Sequence, residues 1–190
     1  HFLSSLNKMA EETAHPQLIH KVLQLLPSAT FVLTCTHDKF RDGILTNWVQ
    51  QCSTEPPMLI VAIPKGQQIE PMLRDARAFA LCLVPPNDRR AMRLFNRDHE
   101  RDEDPFLALT TITAETGMPI LPESKLWFDC KLEGHLSPEA DCRLYLGRVV
   151  SCYAESSLQK SHRNLVTPPT YDKRVARATS SKSATRTRTR

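Results

Sequence analysis

The 190 residues are 41% hydrophobic and 24% charged, with a net charge of +4, the proportions of a soluble globular domain with enough apolar content for a full core. They exclude a collagen-like or wholly disordered chain, and no apolar run approaches the roughly 20 residues that span a bilayer. The charge is uneven: seven of the 25 basic residues and none of the 21 acidic ones fall in 173–190, so the remainder is slightly acidic.

The opening residues His1-Phe2-Leu3-Ser4-Ser5-Leu6-Asn7-Lys8 lack the charged-then-apolar pattern of a secretory signal, which points to the cytoplasm. Residues 16–26 place Leu18, Val22, Leu25 and Leu26 at helical spacing, with Pro27 closing the segment, and predict a short lead helix. A strand is expected over 29–36, a turn over 37–43 and a returning strand over 44–50, as in a hairpin. Met-Leu-Ile-Val-Ala-Ile at 58–63 reads as a buried strand punctuated by Pro56-Pro57. A helix over 68–76 tolerates Pro71 in its first turn, and 78–84 forms another strand. Asn87 is the expected cap of a helix reaching Phe95, with Ala91, Leu94 and Phe95 facing inward, and the charged stretch 97–104 reads as solvated loop. Two longer strands follow: 125–132, with Leu126, Phe128, Cys130 and Leu132 on one face, and 143–153, with Leu144, Leu146 and the Val149 region on one face. Many strands with few, short helices argue for a closed β architecture. The basic end has almost no apolar content to offset ordering entropy and is expected to be a mobile extension. It lacks interleaved aromatics, and no nucleic-acid module precedes it, which argues against a nucleic-acid role.

The chemistry concentrates between the strands at 44–50 and 58–63. Thr46, Asn47, Gln51 and Ser53 set hydrogen-bonding side chains beside an apolar strand that ends at the cation Lys65. Flavin mononucleotide (FMN) has an apolar ring with polar edges, a hydroxylated chain and a phosphate, so its site needs apolar walls, oriented amides and hydroxyls, and positive charge at one end. The plain alternative makes Thr46, Asn47 and Ser53 turn residues, Trp48 core and Lys65 a solvated lysine. The six cysteines, at 35, 52, 82, 130, 142 and 152, include no Cys-x-x-Cys pair, so neither a zinc site nor a disulfide framework is expected. His37, His99 and His162 lack partners at metal-ligand spacing, and His15 with His20 is at best an exposed pair near a helix start. No residue is assigned a catalytic or metal-binding role.

A series of segments carries a family resemblance. Ala29–Thr36, Gly43–Val49, Ser53-Thr54-Glu55-Pro56-Pro57, Phe79–Leu83, Gly117–Leu121, Trp127–Lys131 and Leu144–Val149 resemble, in order and spacing, the flavin reductase-like FMN-binding split-barrel family over about residues 27–153. The Thr-Asn-Trp-Val-x-Gln form is most similar to the flavoredoxin-like branch and to flavin reductase modules fused to flavodiiron proteins. The resemblance implies a mostly β fold with peripheral helices, a Greek-key FMN-binding split β-barrel that dimerises with the flavin near the subunit interface. It implies three segments: a lead at 1–26, the split barrel at 27–155 and a basic extension at 156–190. By the same resemblance Thr46, Asn47, Trp48 and Val49 line the flavin and its ribityl chain. Gln51, Cys52 and Ser53 follow near the ring edge and phosphate, and Lys65 and Gln68 fall beside the phosphate, Gln68 where many relatives carry a hydroxyl. Cys142 stands where many relatives have a histidine near the nicotinamide, and His135, read as a loop residue, lies seven positions upstream. The implied activity is NAD(P)H-dependent flavin reduction, with NADH or NADPH as donor, a homodimer, and a partner oxygenase or redox protein. An FMN electron carrier without nicotinamide turnover, or a barrel that has lost flavin chemistry, are the alternatives.

Overall fold

The computed structural model describes residues 16–96 and 104–161. In chain order these form α1 (Pro16–Leu23), β1 (Phe31–His37), β2 (Phe40–Thr46), β3 (Val49–Thr54), β4 (Pro57–Pro64), α2 (Ile69–Ala76), β5 (Ala78–Leu83), α3 (Arg89–Phe95), β6 (Leu126–Leu136), β7 (Cys142–Ala154) and α4 (Ser156–Ser161). The chain divides into one compact unit ending at Glu155 and a second beginning at Ser156, of which α4 is the described part.

The seven strands form one antiparallel sheet in the order β2-β1-β5-β6-β7-β4-β3. Laid flat at about 4.8 Å per strand, its two edges would stand roughly 29 Å apart. Yet β2 and β3, the edge strands, are joined only by Asn47 and Trp48, and three Cα steps reach at most about 11 Å. The sheet is therefore rolled until the last residue of β2 reaches β4, where the Thr46 hydroxyl bonds the Ala62 carbonyl, although no ladder pairs β2 with β3. A barrel closed by hydrogen bonds, expected from the strand count, is thus replaced by one with a seam.

Alternation along the strands fixes what faces in. On β4 the buried Leu59, Val61 and Ile63 stand opposite Gly147, Tyr145 and Arg143 of β7, and paired residues share a face. The interior set of β7 is therefore Arg143, Tyr145 and Gly147. Leu144 and Leu146, expected to point inward, are half-buried on the outer face. Both faces of β1 are covered, since Leu33 joins the main core with Val61, Ile63, Phe79 and Leu81 while Val32 joins a second cluster with Ala91, Phe95 and Phe106. That explains why β1 is buried without alternation from Phe31 to Cys35, Thr34 included. Gly147 is required by close packing, because a Cβ there would lie 2.4 Å from Phe79 Cζ.

Several boundaries differ from those read in the sequence. The first hairpin turns on Asp38 and Lys39 alone, with His37 paired to Phe40 and Asp38 at φ 54°, so residues 40–43 belong to β2. The strand expected over 44–50 breaks at Asn47–Trp48, where the chain crosses the seam. α3 is capped by Asp88, not Asn87: Asp88 Oδ1 accepts from the Arg90 and Ala91 amides at 3.0 and 2.9 Å. A register shift at Asp129/Cys130 buries both residues and interrupts the simple alternation of β6. The lead helix ends at Leu23, and Leu18, Val22, Leu25 and Leu26 are exposed. The loop expected over 97–104, apart from Asp104, and the basic tail lie outside the described residues.

Candidate functional site

The residues singled out in the sequence are grouped around β4, at the end of β2, along β3 and in the turn that leads from β4 to α2. Thr46 ends β2, and its hydroxyl donates to the Ala62 carbonyl of β4 at 3.3 Å while the Trp48 amide donates to Thr46 Oγ1 at 3.3 Å. The Ala62 amide donates to the Trp48 carbonyl at 3.0 Å, and Val49 lies opposite Val61. Lys65 comes three residues after Ala62, about 10 Å farther along an extended chain. Polar groups at the seam and a cation at the end of β4 are therefore separated by the length of a ribityl phosphate chain.

Exposure separates their roles. Thr46 is buried and its hydroxyl is engaged in the seam. Asn47, Trp48, Gln51 and Cys52 are exposed, and Val49 and Ser53 are half-buried. Trp48, at 54% exposure, is not a core residue in this chain. Cys52 occupies a bulge, since the β3 register shifts between Gln51 and Ser53, and the Gln51 side-chain Nε2 donates to the Ser53 carbonyl at 3.2 Å across it. Edge-strand donors and an exposed indole suit a flat heteroaromatic ring laid against the seam.

At the far end, Lys65 is tied to the loop between β6 and β7: its amide donates to Asp141 O and its Nζ to Pro138 O, both at 2.8 Å. An ammonium has three donors, so this bond leaves capacity for an anion. Gln68 takes the N-cap position of α2 without a side-chain capping bond, which places Lys65 beside the positive end of a helix. The residues present fit a phosphate-bearing ligand by their chemistry.

The start of β7 offers no imidazole. Cys142, opposite Pro64 and 8% exposed, has its thiol raised above the ordinary range by burial and by the Asp141 carboxylate, with Lys65 acting the other way. It is a neutral thiol at pH 7. His135 sits within β6 rather than in a loop, opposite Tyr145 and stacked on its ring at 5.8 Å between centroids. Among the described residues no three His, Cys, Asp or Glu side chains gather as a metal site.

Two features escaped the sequence. A cavity of about 310 Å³ lies between the end of β5 and α3, lined by residues including Leu83, Leu94, Phe95 and Ser124. None of the predicted site residues lines it, and β1 separates it from the seam, because Phe31 pairs with Thr46 on one side and Leu83 on the other. The second feature is a buried polar network of Glu70, Arg143 and Tyr145 beneath the Lys65 turn. Glu70 is more than 70 positions from Arg143 and Tyr145 in sequence, so only the fold brings it to them; the alternation of Arg143, Tyr145 and Gly147 was the available signal.

The family model described as flavin reductase like domain matches residues 23–180. A Nostoc sp. protein provisionally named diflavin flavoprotein A 4 is 32% identical over 119 residues, 63% of this chain and 20% of that one. Diflavin flavoprotein A 1 of Synechocystis sp. is 24% identical over 119 residues, 62% of this chain and 21% of that one. The chain thus spans about a fifth of the length of the curated relatives it matches. Among solved structures, the NADH:FAD oxidoreductase SgcE6 of Streptomyces globisporus C-1027 superposes with a TM-score of 0.67 at 19% identity, over 76% of this chain and 86% of that one. Flavoredoxin from Methanosarcina acetivorans gives a TM-score of 0.63 at 16% identity, over 69% and 70%. At such identities the likeness is one of fold, and that fold is the split barrel.

Proposed function

Because this chain belongs to the flavin reductase-like domain family, we propose that it binds FMN along the β2–β3 seam and serves as an NAD(P)H-dependent flavin reductase. The observation that carries this reading is the spacing along β4. Trp48 stands against Ala62 by a 3.0 Å backbone bond, and the cation Lys65 follows about 10 Å away. When bound, the flavin supplies the acceptor of a hydride from the nicotinamide, chemistry that belongs to the cofactor. Asn47 at the seam and Ser53 on the side away from Lys65, opposite Met58 on β4, orient the ring, Trp48 covers it from water, and Lys65 with the start of α2 balances the phosphate charge. No side-chain nucleophile or acid is needed for that reaction.

A homodimer fits the outer face of the sheet. Ile60 pairs with Leu146, and Leu144 pairs with both Ala62 and Leu136, so adjacent apolar side chains share a surface opposite the core. Leu136 is 55% exposed. A second copy is the simplest cover for this patch, close to Trp48 on the same barrel wall.

A second reading is favoured by Cys142. With a buried neutral thiol at the start of β7, the domain works as a flavin electron carrier fed by another redox partner, as the length of its multidomain relatives allows. Titration with FMN, followed by NADH and NADPH oxidation with and without it, tests both. Rapid nicotinamide oxidation supports the reductase, bound flavin without oxidation supports the carrier, and a protein that ignores FMN overturns both.

A further inference from the structure

Glu70 is 4% exposed on the first turn of α2, a buried charge that neither the hydrophobic core nor the proposed cofactor contacts use. Its oxygens are shared by three donors from two parts of the chain. Oε2 accepts from the Gly66 amide at 2.8 Å; Oε1 accepts from the Tyr145 hydroxyl at 2.8 Å and from Arg143 Nη1. Gly66 has φ 92°, so the carboxylate fastens the sharpest point of the turn between β4 and α2. Lys65 in the same turn is held by Asp141 O and Pro138 O. Arg143, opposite Ile63, faces inward beneath it, and its Nε is a buried nitrogen with no hydrogen-bond partner among the described residues.

A buried ion pair is weak support for stability, because desolvation offsets most of its attraction. It does impose geometry. The turn is ordered when the chain folds, so a ligand does not have to order it on binding. Paired with Glu70, Arg143 adds no net charge, and the attraction for an anion stays with Lys65 and the start of α2. We infer that Glu70 and Arg143 are positioning residues for the anionic end of a flavin nucleotide: they hold the Lys65–Gln68 turn ready for a phosphate monoester and set the preference for FMN over riboflavin. This rests on the flavin reading above.

The test compares FMN and riboflavin binding, by flavin fluorescence, to the full chain and to its E70Q and Y145F variants. Y145F removes one donor to Glu70 while keeping the ring in the core. The expected result is a loss of FMN affinity of roughly tenfold or more in E70Q and a smaller loss in Y145F, with riboflavin affinity unchanged within about twofold. Equal weakening of both flavins, or an unchanged FMN-to-riboflavin ratio, overturns the positioning role. A wild-type protein that binds both flavins equally overturns this inference alone, and one that binds neither overturns the functional reading with it.

Discussion

Thr46 Oγ1 donates to the Ala62 carbonyl at 3.3 Å, linking the last residue of β2 to β4 across a seam that no β2–β3 ladder closes. The same oxygen accepts the Trp48 amide, so one buried hydroxyl satisfies two backbone groups where the chain leaves one edge of the sheet for the other. Thr46→Val keeps the shape and removes both bonds. The expected cost is about 1–3 kcal/mol, since the Trp48 amide is left without its acceptor, or a fall of roughly 2–10 °C in Tm for a domain of this size. Hydrogen exchange should quicken at the Trp48 and Ala62 amides before the rest of the sheet. Uniform exchange across all strands would mean that the seam opens only on global unfolding.

Much of the barrel was legible because its signals are local. Met58–Ile63 and Phe79–Leu83 are apolar, β-branched or aromatic runs bounded by turn residues, and both are strands. What could not be read depends on register. Hydrophobicity favours Leu144 and Leu146 as the inward face of β7, but a one-residue shift exchanges the faces of a strand, and pairing with Leu59, Val61 and Ile63 puts Arg143, Tyr145 and Gly147 inside. That exchange concealed the Glu70 network and the outer apolar patch together. The cluster at 46–53 is visible as a candidate because its residues are contiguous, whereas the use of the Thr46 hydroxyl in the seam is a fact of tertiary structure.

Asn47 is exposed and Ser53 half-buried, so neither supports the core, and changing both to Ala should leave the melting temperature nearly unaltered. If they bind flavin, the double variant loses two hydrogen bonds worth about 1 kcal/mol each, roughly a thirtyfold rise in the FMN dissociation constant. Fluorescence titration measures it. An unchanged constant would move the ring away from the seam.

The outer-face patch predicts an oligomeric effect. Leu146 is half-buried and paired with Ile60, and Leu146→Arg would place an unpaired charge in the middle of a buried interface, weakening self-association about tenfold or more. Sedimentation velocity across a concentration series reads the shift toward monomer. A variant that sediments as the wild type does shows that this face is not where copies meet.

Acid should act through Glu70. Burial raises its carboxyl, but the Gly66 amide, the Tyr145 hydroxyl and the Arg143 guanidinium outweigh burial and hold it below the ordinary carboxylate range. Between the folded and unfolded values the unfolded chain binds the proton and the folded protein does not, so stability rises with pH there. The contribution is complete above the unfolded value of about 4.3 and disappears as pH falls through the lower folded one. Melting temperatures measured downward from pH 5 should fall more steeply for wild type than for E70Q; parallel curves would assign the acid sensitivity to other carboxylates.

The cysteines provide a reporter on the same site. Burial pushes the Cys35 and Cys130 thiols up to about 12, with help from Asp42 and Asp129 respectively, and Cys82 to about 11, so these remain neutral and unreactive at neutral pH. Cys142 is buried as well, whereas Cys52 and Cys152 are exposed. Two of the six thiols should therefore react quickly with a water-soluble disulfide reagent at pH 8, and C52S and C152S assign them. Cys52 sits in the β3 bulge beside the proposed ring, while Cys152 lies near the other end of β7 opposite Phe128. Saturating FMN should slow labelling of Cys52 about tenfold or more by steric cover and leave Cys152 unchanged, which makes the second thiol an internal control. Protection of Cys152 with Cys52 still reactive would put the ligand on a different face of the barrel and remove the seam from consideration.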